Sequence, residues 1–167
     1  MKIRNTLSAC SEPWLWRTSS SLPSDILDKS IILDAEKMTS LDGLYDEFAE
    51  QLNFPDYFGR NYNALSEMMA DLSWLSRDSY IVVIKNANLL LSNEEANILS
   101  GLLEILNTVA KEWSISIEQG EEWDRASVPF HVVFQTPPEF QESFAKRIAD
   151  IDFSIADLSL PESPTSS

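Results

Sequence analysis

His131 and Cys10 are the chain's single histidine and single cysteine. A zinc site takes three or four ligands at recognisable spacings, and one of each at distant positions does not supply them. His131 also lies inside the apolar run Phe130-His131-Val132-Val133-Phe134, which reads as a core strand. For nucleophilic chemistry, Cys10 sits in an irregular arm and no serine stands in a G-x-S-x-G elbow. No G-x-G-x-x-G or G-x-x-x-x-G-K-[ST] run exists to cradle a phosphate, and only 4 glycines occur in the whole chain. Carboxylates are abundant. Glu94-Glu95 and Glu121-Glu122 read as solvated faces, while Glu67 with Asp71, one helical turn apart, has the spacing of a general acid–base pair. In a chain this acidic such a pair arises easily by chance. The sequence therefore reads as a non-enzyme, with no catalytic residue, no metal and no cofactor.

Charge points to binding instead. The chain of 167 residues carries 27 Asp plus Glu against 12 Lys plus Arg, a formal net charge of -15 and a pI near 4.2. Such a surface repels nucleic acid and anionic membranes, and steers basic partners inward. One cysteine allows no internal disulfide, which fits a reducing, cytoplasmic setting. Leu7-Ser8-Ala9-Cys10 has the look of a lipoprotein cleavage box, but Arg4, Asn5 and Thr6 break the apolar stretch such a signal needs. No run approaches the ~18–20 apolar residues of a membrane span.

The elements that would position a binding site follow from periodicity. Residues 1–30 read as an irregular extension with Pro13, Pro23 and a serine run, partly packed on the domain through Trp14 and Trp16. Residues 31–136 form the domain. Ile31-Ile32-Leu33 is a short strand ending at Asp34. A helix opens at a capping-box-like Thr39/Asp42, buries Leu41, Leu44, Tyr45, Phe48 and Leu52, turns Asp42, Asp46, Glu47 and Glu50 outward, and stops at Pro55. A second helix, about 60–72, buries Leu65, Met68, Met69 and Leu72. Asn63, Glu67 and Asp71 line its opposite face. Tyr80 to Ile84 is apolar throughout, as in a sheet buried on both faces. Ser92/Glu95 reads as a capping box opening the longest helix, about 93–113, and Phe130–Phe134 closes the sheet. Residues 137–167 read as a short helix on Phe140, Phe144 and Ile148, then a loose tail. Strand, two helices, strand, helix, strand implies an α/β fold with a small three-stranded parallel sheet packed against helices.

One stretch is not generic: Phe54-Pro55-Asp56-Tyr57-Phe58-Gly59-Arg60-Asn61-Tyr62-Asn63-Ala64-Leu65. It couples a helix stop, an aromatic loop and a helix with a polar outer stripe. It resembles the recognition segment of the barstar family, intracellular inhibitors of bacterial ribonucleases. The shared pattern is Pro, acidic, aromatic pair, Gly, any residue, Asn, apolar, Asp or Asn, Ala, Leu. The order of elements from Ile31 to Phe134 is similar too, and Trp123-Asp124-Arg125 followed by Val128-Pro129-Phe130 looks like the ending of longer barstar-like chains.

The resemblance implies a barstar-like fold and a partner surface formed by Asp56, Tyr57, Arg60, Asn63, Ser66, Glu67, Ala70 and Asp71. It implies that Glu67 enters the nuclease site where an RNA phosphate would sit, and that Tyr57 stacks on the partner. Departures are visible. Glu67 stands for an aspartate, Asn63 for an acid and Ser66 for a tryptophan. Thr108 on the long helix stands for a further acid. The implied partner is a basic, secreted or delivered ribonuclease toxin, bound one-to-one by a monomer and differing from the best-studied enzyme. The alternative is a barstar-like module for another basic protein, without nuclease inhibition. The acidic stretch 118–124 reads as a solvated loop.

Overall fold

The computed structural model describes residues 2–151, 153 and 155–158. In chain order its helices and strands are α1 (Lys2–Leu7), β1 (Leu15–Thr18), α2 (Ser24–Asp28), β2 (Ile31–Asp34), α3 (Leu41–Gln51) and α4 (Tyr62–Asp71). There follow β3 (Tyr80–Lys85), α5 (Ala96–Trp113), β4 (Phe130–Gln135), α6 (Gln141–Arg147) and β5 (Ile155–Asp157). The strands form one parallel sheet in the order β2-β3-β4-β1-β5.

The sheet has five strands, not the three expected from periodicity. Both additions come from segments read as irregular or loose. In β1, Leu15 pairs with Val132 of β4 on one side and Ile155 of β5 on the other. Four residues bracketed by Pro13 and the serine run are too short for a period to show. In β5, only Ile155 and Ala156 are apolar, and the strand is fastened from outside by Arg17, whose Nε lies 2.9 Å from the Asp157 carboxylate. Tail residues 159–167 lie outside the described residues.

The apolar run of β3 is explained by cover on both faces. Tyr80, Val82 and Ile84 join the larger core with α3, α4, α5 and α6. Ile81 and Val83 join a second core with Trp16, Val133 and, from α1 and α2, Ile3, Leu7 and Ile26. The N-terminal segment thus seals the face that the other helices leave open. Its fastening is polar as well as apolar. The Trp16 indole donates to Nδ1 of buried His131 (3.0 Å), and His131 Nε2 lies 2.7 Å from the Ala9 carbonyl. An acceptor role at Nδ1 and a donor role at Nε2 require the neutral imidazole.

Helix starts depart from the sequence reading. Ser40, not Thr39, caps α3, its Oγ accepting from the Gly43 amide. Thr39 Oγ1 accepts from the Asn93 side chain instead. α5 begins at Ala96, because residues 91 and 93 donate their amides to the carbonyls of Met38 and Thr39. Glu94 reaches back to cap α3 at the Leu41 amide (2.9 Å). Both supposed boxes therefore stitch two loops together. α3 ends at Gln51 rather than running to Pro55, with Asn53 left-handed at φ 53. Glu47, expected outward, is buried, and its carboxylate accepts from the Asp34 amide at the end of β2 (2.8 Å).

Burial of His131 lowers its pKa below the ordinary 6.5. The folded state then binds fewer protons than the unfolded state just below that value, so stability falls as pH drops below 6.5. Urea midpoints measured from pH 8 to 5 should show an acid-side loss in wild type that is smaller in His131→Leu. Equal slopes for the two proteins would mean that His131 titrates as freely in the fold as outside it.

Candidate functional site

The loop after α3 is shaped by aromatic packing. Phe58 packs edge-on against Tyr45 (centroids 5.7 Å apart) and Phe54 (4.9 Å), and Phe54 meets Trp74 at 6.2 Å. Phe58 lies against the core while its neighbour Tyr57 is 70% exposed, so the pair divides inward and outward. Pro55 accepts the Phe58 amide, closing the turn.

Arg60 then reverses the chain at φ 51, a left-handed conformation that costs a non-glycine residue energy. Its guanidinium repays this by bridging to α3. It bonds the carboxylates of Asp42 and Asp46 (the latter at 2.9 Å) and lies 5.6 Å from the Tyr45 ring centroid. Asn61 follows as the N-cap of α4. Its Oδ1 accepts from the Ala64 amide (2.8 Å), and its Nδ2 donates to the Gly59 carbonyl (3.3 Å).

α4 buries Leu65, Met68 and Met69 and leaves Asn63, Glu67 and Asp71 exposed in one line, with Ser66 and Ala70 half-buried beside them. The helix is pinned at both ends. At its start the Tyr62 hydroxyl donates to the Ile98 carbonyl of α5 (2.6 Å), and burial pushes this phenol's pKa up. Gly101 favours the tight approach, since a Cβ there would stand 3.0 Å from the Tyr62 ring and the ring would have to shift. Further along, the Trp113 indole donates to the Met69 carbonyl (2.9 Å).

The eight sequence-predicted residues divide accordingly. Tyr57, Asn63, Glu67 and Asp71 are presented to solvent, Asp56 is exposed in the loop, and Ser66 and Ala70 flank the stripe. Arg60 engages α3. Sequence reasoning missed Glu104, which lines a shallow groove of about 330 Å³ between α4 and α5 with Asn63, Ser66, Ile105 and Thr108. Its signal was available: Glu104 and Thr108 are one turn apart on the polar edge of α5, and Gly101 marks the close approach. Among the described residues, neither Glu67 nor Asp71 takes part in an ion pair, and no cluster of His, Cys, Asp or Glu could hold a metal. What remains is a fixed row of hydrogen-bond acceptors beside an exposed ring. Free carboxylates of this kind pair well with guanidinium and ammonium groups.

The cap makes the row's position testable. Asn61→Ala should cost about 1 kcal/mol of folding stability, read from the shift in urea midpoint. Asn61→Asp, which keeps the acceptor, should restore most of it. An alanine variant as stable as wild type would show that α4 is positioned by packing alone.

The geometry agrees with comparison to known proteins. The chain is 29% identical over 93 residues to the Bacillus subtilis (strain 168) protein named "Putative ribonuclease inhibitor YrdF", a match spanning 54% of this chain and 99% of that one. The family described as "Barstar (barnase inhibitor)" matches residues 29–135, which take in β2, the recognition loop, α4 and β4. With more than half its length matched, three of the five strands included, the chain belongs to the barstar family.

Proposed function

We propose that this protein inhibits a basic bacterial ribonuclease toxin, either self-made or a rival's, by placing α4 and the 55–60 loop over the enzyme's active site in a one-to-one complex. The observation that carries the reading is the exposed row Asn63–Glu67–Asp71. It holds two carboxylates that pair with no cation among the described residues, on a helix fixed before any partner arrives. A ribonuclease groove is lined with Lys and Arg to hold RNA phosphates, and Glu67 offers such groups a carboxylate in place of the phosphate. Tyr57 supplies flat, rigid contact area beside it. Asp56, Asp71 and Glu104 widen the negative field that steers encounter. No step of this reading asks the chain to make or break a bond.

The substitutions at the site select the partner. Asn63 and Ser66 present a hydrogen-bonding surface of low charge on the α5 side of the row. The matching part of the enzyme is accordingly less cationic than the part that meets Glu67. The second reading, a module for another basic protein, rests on the same two residues.

The deciding experiment is a pull-down from the native cell with wild type and Glu67→Arg side by side, each retained protein being assayed for RNA cleavage. A small basic ribonuclease held and inhibited by wild type and lost by the variant is the expected result. A partner without nuclease activity would favour the module, and a ribonuclease held equally by both would move the interface off α4. With the purified enzyme, Glu67→Ala should weaken binding by about 2 kcal/mol or more. Added salt should lower chiefly the association rate, since exposed charges are screened beyond about 8–10 Å. A salt-independent rate would remove the steering role of the acidic surface.

A further inference from the structure

The connection between α5 and β4 is an ordered arm with an exposed aromatic tip. Ile117 and Arg125 exchange amide-to-carbonyl bonds of 2.8 and 3.1 Å across an antiparallel bridge. Gly120 turns the chain at φ 75, where a side chain would be strained. The Asp124 carboxylate then accepts from the amides of Gln119 (3.0 Å) and Gly120 (2.7 Å). At the base, the Arg125 guanidinium lies 4.0 Å from the Trp113 ring centroid and donates to the Trp113 carbonyl. Trp113 in turn bonds α4 through Met69, so the arm and the recognition helix share one anchor.

Between the arm and the C-terminal end of α4 runs a groove of about 540 Å³, lined by Ala70, Asp71, Arg77, Glu122 and Trp123 among others. Trp123 is 61% exposed, the larger part of a big apolar ring left in water by a fold that buries Trp14, Trp16 and Trp113. The groove is lined by three carboxylates, Asp71, Glu122 and Asp124, and by two guanidiniums, Arg77 and Arg125. Arg125 stacks on Trp113, and Arg77 donates to the Lys29 carbonyl (3.0 Å). Among the described residues, Asp71 and Glu122 have no ion-pair partner. Asp71 accepts only the Ser73 amide, at 3.3 Å. An indole face beside carboxylates in excess of the cations is the chemistry that holds a further cation on an aliphatic stem. Ala70 and Asp71 belong both to this groove and to the recognition row, so a body seated on α4 reaches the groove without a gap.

We propose that the arm is a second grip on the ribonuclease. The groove takes a lysine or arginine side chain that the enzyme presents outside its active site, its stem against Trp123 and its charge facing Asp71 and Glu122. The proposal rests on the inhibitor reading and adds to it a contact that does not itself block catalysis.

The test uses the full chain in its native cell, with p-benzoylphenylalanine at position 57, 123 or, as a control elsewhere on the surface, 140. One ribonuclease, recognised by its RNA-cleaving activity, should crosslink at 57 and at 123 and not at 140. For that enzyme, Trp123→Ala and Glu122→Arg should each raise Kd about tenfold, mainly through faster dissociation. Trp123→Phe should recover part of the loss, and full occupancy should still inhibit completely. Crosslinking at 57 without 123, or both variants binding within about twofold of wild type, would overturn the groove and leave the inhibitor reading intact. A different protein captured at 123 would also overturn it. No ribonuclease at either position would remove both.

Discussion

A parallel strand that is apolar on both sides must be covered on both sides. β3 imposes that demand here, and most of the architecture answers it. Val82 and Ile84 call for α3, α4 and α5, while Ile81 and Val83 call for α1 and α2. The division has a functional consequence. Because the N-terminal helices close one face, α4 is held in the opposite layer by Leu65, Met68 and Met69 and by its hydrogen bonds to α5, and its other side is left to solvent. The Asn63–Glu67–Asp71 row is the outer surface of a layer whose inner surface is needed by the sheet.

The loop that leads into α4 is held before binding by interactions that are individually ordinary. Phe58 keeps the turn on the core, Arg60 ties it to two carboxylates of α3, and Asn61 caps the helix. Arg60 is exposed, and its ion pairs are worth little to global stability. Their effect is on geometry. They compensate a left-handed residue and so determine where Tyr57 and Asn63 stand relative to each other. A binding surface that is already ordered loses less entropy on association, and that saving appears directly as affinity.

The domain's middle was legible because its signals are long. Strands β2, β3 and β4 and helices α3, α4 and α5 each carry several apolar residues at one period. The recognition segment is read from a gapless run. The remainder was hidden for particular reasons. β1 is four residues between a proline and a serine run, and β5 is three residues with one charge. β1 is a strand only once β4 offers a partner, and β5 only once β1 does. Thr39, Ser92 and Glu95 have the residue types of helix caps, yet loop-to-loop hydrogen bonds between 38–39 and 91–93 displace them. Glu47 was misread because amphipathicity assigns carboxylates outward, whereas the end of β2 offers a backbone amide that needs an acceptor. At the site, outward placement of Asn63, Glu67 and Asp71 follows from helical spacing. The engagement of Arg60 with α3 depends on how the loop meets that helix, which no local pattern encodes.

Charge then decides what the surface can bind. The chain carries a formal charge of -15, and folding could have paired more of it. Instead none of the described ion pairs involves the α4 row: Arg17 pairs with Asp157, Arg60 with α3, Lys146 with Glu142. Leaving Glu67 and Asp71 unpaired costs the free protein little, because both stay hydrated. In a complex they lose that water, and the loss is offset only where the partner supplies cations at matching positions. A neutral or acidic protein of the same shape would meet desolvated carboxylates with no return. On the proposed interface, the unpaired row would therefore act against wrong partners at least as strongly as it would attract the right one.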